Sequence, residues 1–330
     1  MADGREAVPE QLYRYILSTT WFHQIPLLAL TAAAFLIEVV PLELQRRIVN
    51  DAVKNRQYGA IVLLCAVYAG AVLLQGAIKL AMNIYRGWVG ERAKRDLRRR
   101  VDATLDGAVA VGGLPETQGT AVSMMVSEVE PVGGFVGTSI SEPLLQIGIV
   151  ATVIAYIVHL DWWMAGSALA LFVPQLVFVP LMQRAMNRRT GARVWVLRQI
   201  GTGVIARNDP RENEGWRDLA RIDRVLQLNF GVLKLKFTMN FLMNLCSHLQ
   251  VIVALLIGGW LVLHHRLEIG GVVAFISGIG RLNDPWGDLV NYFREASLTH
   301  VKYGMIAAVL NRLVATPATA QAAADMAKAT

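Results

Sequence analysis

WWMAGSALALFVPQLVFVPLM, from Trp162 to Met182, contains no formally charged residue. A bilayer core takes roughly 20 mostly apolar residues in helical form. This stretch is therefore long enough to cross one, and it is too apolar and too long for the surface of a soluble domain. Its neighbours read the same way. Working outward gives further candidate passages at Phe237–Leu263, Val132–Val158, Gly59–Tyr85, Trp21–Glu43 and Ile269–Phe293, six in all. Apolar residues make up 54% of the chain and charged residues only 17%, which places the whole protein in a membrane as an all-α polytopic bundle.

Met1–Glu10 is polar and the first apolar run is long enough to span, so a passage is expected there and not a cleaved leader. Ahead of it, Leu12, Tyr13, Ile16 and Leu17 have helical spacing and lead into Trp21-Phe22. Residues 1–20 are accordingly read as an interfacial helix that anchors the chain before it turns in. Cys65 and Cys246 lie inside apolar spans, match no metal or redox spacing, and are expected as core filler.

The net charge of +7 does not point to nucleic acid, because the cations are distributed as in a membrane protein. Arg86, Arg92, Lys94, Arg95, Arg98, Arg99 and Arg100 fall between the second and third passages. A second set, from Arg184 to Lys236, falls between the fourth and fifth. The positive-inside rule places both connections and both termini in the cytoplasm, with Arg46–Tyr58, His159–Asp161 and His264–Glu268 as short outer links. Arg46, Arg47, Lys54 and Arg56 dissent from this orientation but are outnumbered. The inner connections carry helical stripes: Val89, Ala93, Leu97, Val101, Leu105 and Val109 in one, and Leu219, Ile222, Leu226, Phe230 and Leu233 in the other. Asp209, Pro210 and Glu212 mark the expected start of the second. Both connections, about residues 86–131 and 184–236, are thus expected to be helical stalks outside the membrane.

In this order the segments resemble the transmembrane domain of exporter-type ABC transporters. The resemblance rests on Pro41-Leu42-Glu43-Leu44-Gln45-Arg46-Arg47 leading into an outer turn, and on Arg92…Asp96-Leu97-Arg98 followed by Gly119, Ser123 and Glu128. It rests further on Leu267-Glu268-Ile269-Gly270-Gly271-Val272-Val273-Ala274-Phe275 with Pro285 and Arg312. It implies a six-helix domain over residues 21–313 in the bacterial inner membrane. Two such domains would pair around a central pathway, the hairpin of passages four and five crossing to the partner, with short coupling helices at the stalk tips docking ATPase domains. The positions corresponding to coupling helices are Gly112-Gly113, where the family often has aromatics, and Arg198 with Gly201 and Gly203. No Gly-x-x-x-x-Gly-Lys-[Ser/Thr] loop occurs in the 330 residues, so the chain is expected to bind no cofactor, and ATP would act only through a separate ATPase subunit. The Ala-rich tail, 314–330, is expected to be disordered or at most a frayed helix.

No hydrolytic constellation is visible, and His264-His265 is read as a solvated outer turn and not a metal site. Ionisable groups within the passages are more informative, since each costs about 2.5–3.5 kcal/mol at the bilayer centre unless it faces a partner or water. Glu38, Lys79, Glu142, Arg281 and Asp284 are the pathway candidates, with Glu38 and Lys79 as easily read as a structural pair. Glu142-Pro143 and Asp284-Pro285 join a charge to a proline expected to distort its helix. Glu142 is expected to face the pathway or a cation such as Lys79 or Arg281.

Three functions fit. The leading one is a membrane subunit working with a separately encoded ATPase; the others are a proton-coupled transporter similar to the SbmA-like peptide importers, and a non-transporting scaffold in a larger membrane complex. Expected partners are lipids, a second copy or another membrane protein, and that ATPase.

Overall fold

The structure, a computed structural model, describes residues 8–54, 58–110, 128–206 and 215–328. Among these every element is helical: α1 Leu12–Leu36, α2 Val39–Lys54, α3 Tyr58–Ala110, α4 Val129–Thr138, α5 Ser141–Leu160, α6 Trp162–Ala206, α7 Gly215–Leu263, α8 Ile269–Gly280 and α9 Asn283–Lys328. Among the described residues five passages are long and apolar enough to cross a membrane: Leu12–Ala52, Tyr58–Thr104, Val129–Leu160, Trp162–Leu197 and Leu219–Leu263.

The expected sixth passage is not among them. Its apolar part, α8, has only 12 residues, about 18 Å of helix against a hydrocarbon core of about 30 Å. A turn at Arg281-Leu282 then ends it, and α9 begins with Asp284 in its first turn. Similar breaks divide the first passage at Ile37-Glu38 and the third at Ser139-Ile140.

The prolines explain where the helices restart. Pro41, Pro131, Pro143 and Pro285 are each the third residue of a new helix, α2, α4, α5 and α9 respectively. The first turn has no intrahelical partner for its N–H groups, so proline loses nothing there. The expectation that Pro143 and Pro285 distort the middle of a helix is therefore corrected: they lie at the starts of helices. By contrast Pro26 lies inside α1, and Pro174 and Pro180 inside α6.

The chain divides into two compact units, residues 1–153 with 284–330, and residues 154–283. In the first, the stripe read from the sequence is the core: Val89, Ala93, Leu97 and Val101 of α3 are at most 1% exposed. They belong to one cluster with Leu12, Tyr15 and Ile16 of α1, Val129, Val132, Phe135 and Val136 of α4, and Tyr303, Ile306 and Leu310 of α9. The segment leading into α1 meets α9 here, since Asn311 exchanges hydrogen bonds with the Val8 backbone at 2.9 and 3.0 Å and the Tyr303 hydroxyl donates to the Pro9 carbonyl at 2.5 Å. Residues 12–20, read as an interfacial helix, are the first turns of α1 and run unbroken into its apolar part. In the tail, expected to be disordered or at most a frayed helix, the backbone is helical through Lys328, in keeping with alanine's propensity.

In the second unit α6 and α7 pack along each other as a hairpin, with α8 against α7. Arg189 Nη1 donates to the Gly231 carbonyl at 2.6 Å and Arg193 Nη1 to Asn229 Oδ1 at 3.0 Å, tying the polar ends of the two helices. The second stripe behaves unlike the first: Leu219, Ile222, Leu226, Phe230 and Leu233 are all exposed. The cysteines are corrected as well, since Cys65 is exposed and Cys246 half-buried instead of lying in a core.

Candidate functional site

A GxxxG pair, Gly133 and Gly137, sits where α4 crosses α3. A Cβ at Gly133 would run into Lys94, and one at Gly137 into the backbone carbonyl of Arg86. Small residues let helices approach this closely where packing, and not hydrophobicity, drives association in a membrane. The close approach brings the Arg86 side chain, itself buried, to the start of α5.

There Arg86 Nη1 donates to Glu142 Oε2 at 2.6 Å. Gln146, one turn further along α5, donates to Glu142 Oε1 at 2.6 Å and to Asp288 Oδ2 of α9 at 3.3 Å. Two carboxylates thus share one amide donor. Arg86 Nε and Nη2 are buried with no hydrogen-bond partner among the described residues. Below this cluster the break between α4 and α5 leaves the Ser139 carbonyl for Tyr292, whose hydroxyl donates to it at 2.5 Å and lies 3.1 Å from the Tyr13 hydroxyl. The Tyr292 ring stacks on Phe135 with centroids 5.7 Å apart. Aromatic and polar contacts from α1, α4 and α9 therefore fix the floor under the charged group.

A second pair lies two turns back along α3. Lys79 Nζ is 3.2 Å from Glu38 Oε2, and Gln75 Nε2 donates to the same oxygen at 2.5 Å. Glu38 occupies the turn between α1 and α2, so the break that ends α1 coincides with a buried carboxylate. Gln75, Lys79, Met82 and Arg86 are spaced by four, three and four residues and form one face of α3. That face continues directly into the buried stripe beginning at Val89.

The pathway candidates are thus sorted. Glu38 and Lys79 pair with each other. Glu142, expected to face the pathway or a cation such as Lys79, pairs with Arg86. Arg281 caps the end of α8 in the second unit, and Asp284 sits in the first turn of α9 in the first unit. In sequence Arg86 is one of the cations of the first inner connection and nothing local sets it apart. The signal that could have found it is the helical stripe, which extended backwards from Val89 passes through Arg86, Met82, Lys79 and Gln75. Asp288 and Gln146 were missed because each joins the group only through the fold.

Of the coupling candidates, Arg198, Gly201 and Gly203 lie in the last turns of α6, whose backbone is helical to Ala206. Gly112 and Gly113 lie outside the described residues, as do Gly119, Ser123, Asp209, Pro210 and Glu212. Glu128 immediately precedes α4. Of the cations that dissent from the topology, Arg46 and Arg47 both pair with Glu43 at 2.8 Å. Among the described residues no group of three His, Cys, Asp or Glu side chains is placed to hold a metal. His264 turns its Nδ1 to the Trp260 carbonyl, 2.8 Å away.

A comparison with curated proteins found no match. The family described as ABC transporter transmembrane region matches residues 27–193, half of the chain, from the apolar part of α1 into the polar part of α6. That interval contains the α3–α4 crossing, both buried ion pairs and two of the five candidate passages entire, with most of two more. With long unbroken helices arranged in an all-α membrane bundle, the chain belongs to the ABC transporter transmembrane family.

Proposed function

We propose that this chain is the membrane subunit of an ABC-type transporter that moves a substrate across the inner membrane with a separately encoded ATPase. In this reading the chain forms a homodimer with both termini in the cytoplasm. The observation that carries it is the length of α3: its 53 residues make about 80 Å of helix, more than twice a bilayer core. The surplus bears the basic residues and is held rigid by α1, α4 and α9. A transmembrane bundle has no need of such extensions unless something docks on them. The apolar stripe Leu219–Leu233 of α7, exposed on the single chain, supports pairing with a second copy.

The test is affinity capture of the tagged chain from its own membranes in mild detergent, followed by mass spectrometry and an ATPase assay. Co-purification of an ABC-type ATPase whose turnover depends on the chain is the expected result. Transport by the purified chain alone, driven by a pH gradient and indifferent to ATP, would replace this reading with the proton-coupled one. That second reading is favoured by the carboxylates of Glu142 and Asp288 sharing the Gln146 amide, since a proton on either would change how Arg86 is held.

A further inference from the structure

A different face of α3 carries a feature that the transport reading does not use. Leu73, Ala77, Leu80, Ile84, Trp88, Arg92, Arg95 and Arg99 are spaced by four, three, four, four, four, three and four residues, so they form one stripe along the helix. All are exposed, Leu73 at 74%, Ile84 at 64% and Trp88 at 46%. The stripe changes character once: it is aliphatic up to Ile84, aromatic at Trp88 and cationic from Arg92 onward.

Trp88 lies in a belt of rings. It stacks on Tyr85 at 5.8 Å and meets the edge of His23 at 5.0 Å, while Trp21 and Phe22 project from α1 beside them. Such belts settle where hydrocarbon gives way to headgroups. Measured from Trp88 at 1.5 Å per residue, Arg92 and Arg95 lie about 6 and 10 Å further out, and Arg99 about 17 Å. A headgroup layer is about 5–8 Å thick, so the Arg92 backbone falls within it, that of Arg95 just beyond it but within a long side chain's reach, and that of Arg99 in the water. The Arg92 guanidinium is held 5.3 Å over the Trp88 ring.

Trp88, Glu91, Arg92, Arg95, Asp96 and Arg99 line an open groove of about 450 Å³. Its two acids are already engaged: Glu91 pairs with Lys94 at 2.7 Å, and Asp96 pairs with Arg100 at 2.9 Å and accepts from the Tyr15 hydroxyl at 3.2 Å. Among the described residues no carboxylate pairs with Arg92, Arg95 or Arg99. The groove therefore presents net positive charge at phosphate depth, directly in line with an exposed aliphatic track.

We propose that this stripe binds an anionic phospholipid of the leaflet on the stalk side. Its acyl chains lie along Leu73, Leu80 and Ile84, its glycerol region rests against Trp88, and its phosphates are held by Arg92 and Arg95 with Arg99 reaching further charge. The match is of order as well as type, because the residues meet a phospholipid's parts in sequence from tail to head. Basic clusters immediately outside a transmembrane helix attract anionic lipid at about 1 kcal/mol per cation, or about fivefold each.

The full chain, reconstituted into vesicles of phosphatidylcholine alone or mixed with phosphatidylglycerol, tests this with spin-labelled lipids. Wild type is expected to hold labelled phosphatidylglycerol several-fold more strongly than labelled phosphatidylcholine. Arg92→Gln with Arg95→Gln and Arg99→Gln should abolish the preference, whereas neutralising Arg184, Arg188 and Arg224 together should leave it. No preference in wild type, or equal loss in both triple variants, overturns the proposal. Should the first triple variant fail to fold, the single changes Arg92→Gln and Arg95→Gln carry the test, each expected to lower the preference several-fold and, if neither does, refuting it. Displacement of the labelled lipid by millimolar glycerol 3-phosphate would also overturn it, assigning the groove to a soluble phosphate.

Discussion

Arg86 reaches Glu142 only because Gly137, five residues before Glu142, has no side chain. The helix carrying the cation and the helix leading to the anion touch at backbone level, and the ion pair closes immediately above that contact. Gly137→Ala should therefore force α3 and α4 apart and lower stability by about 1–3 kcal/mol, the usual cost of overpacking. Gly134→Ala is the matched control. Nothing lies within 4 Å of a Cβ at Gly134, and alanine's better helix propensity should make that change neutral or mildly stabilising. Thermal unfolding of both variants in detergent distinguishes the cases, and equal melting temperatures would remove the crossing from the account.

Glu142→Ala should strand a buried guanidinium that already has two unpartnered nitrogens. Removing one member of a buried pair costs about 3–5 kcal/mol, and the partly open Glu142 carboxylate places the expectation at the low end. Adding Arg86→Met should recover a good part of the loss, whereas Lys79→Met should not. A double-mutant cycle read by thermal unfolding tests this. Rescue by Lys79→Met in place of Arg86→Met would mean that the pairing is wrong.

Burial pushes the Tyr303 phenol upward, so the folded chain favours its neutral form. The sign follows directly: this stabilisation is complete below about pH 10, the ordinary tyrosine value, and is lost as pH rises from there toward the raised one. At neutral pH Tyr303→Phe should cost about 1 kcal/mol by leaving the Pro9 carbonyl without its donor. Above about pH 10 the difference between the two proteins should shrink. A constant difference across the alkaline range would refute it.

Dimerisation through α7 gives a simple expectation. Leu226→Glu with Phe230→Glu places two charges in the exposed stripe, and mass measurement in lipid discs should then find monomer where wild type is dimeric. A dimer that survives both changes would exclude this face.

Cysteines introduced at Asp161 and at Gly119 probe the orientation. With the basic connections inside, an impermeant reagent applied to intact cells should label Asp161→Cys and spare Gly119→Cys. The opposite pattern would invert the topology.

Membrane class and helix type were legible because apolar length alone determines them, and the Val89–Val101 core face because its spacing is that of a helix. The breaks were harder. Proline at 41, 143 and 285 reads equally as a kink within a helix or as the third residue of a new one, and only the hydrogen bonds around Glu38, Ser139 and Arg281 decide between them. In sequence Arg86 is one cation among the seven of the first inner connection; what buries it is a contact at Gly137, more than fifty positions away in the chain. Asp288 joins Glu142 through Gln146, and no local pattern announces a pairing between the first turns of α5 and α9. The two stripes on the polar extensions looked alike, yet one is a core and the other lies open, since covering a face depends on what the rest of the chain brings to it.

Because α3 runs from Tyr58 to Ala110 without a proline, its bilayer end and its far tip are parts of one strut. A tilt of about 5° at one end sweeps the other through about 7 Å over the strut's length of about 80 Å. Leverage of this kind needs no internal flexing. The Glu38–Lys79 and Arg86–Glu142 attachments sit along the strut like bearings, and whichever of them yields first sets the fulcrum.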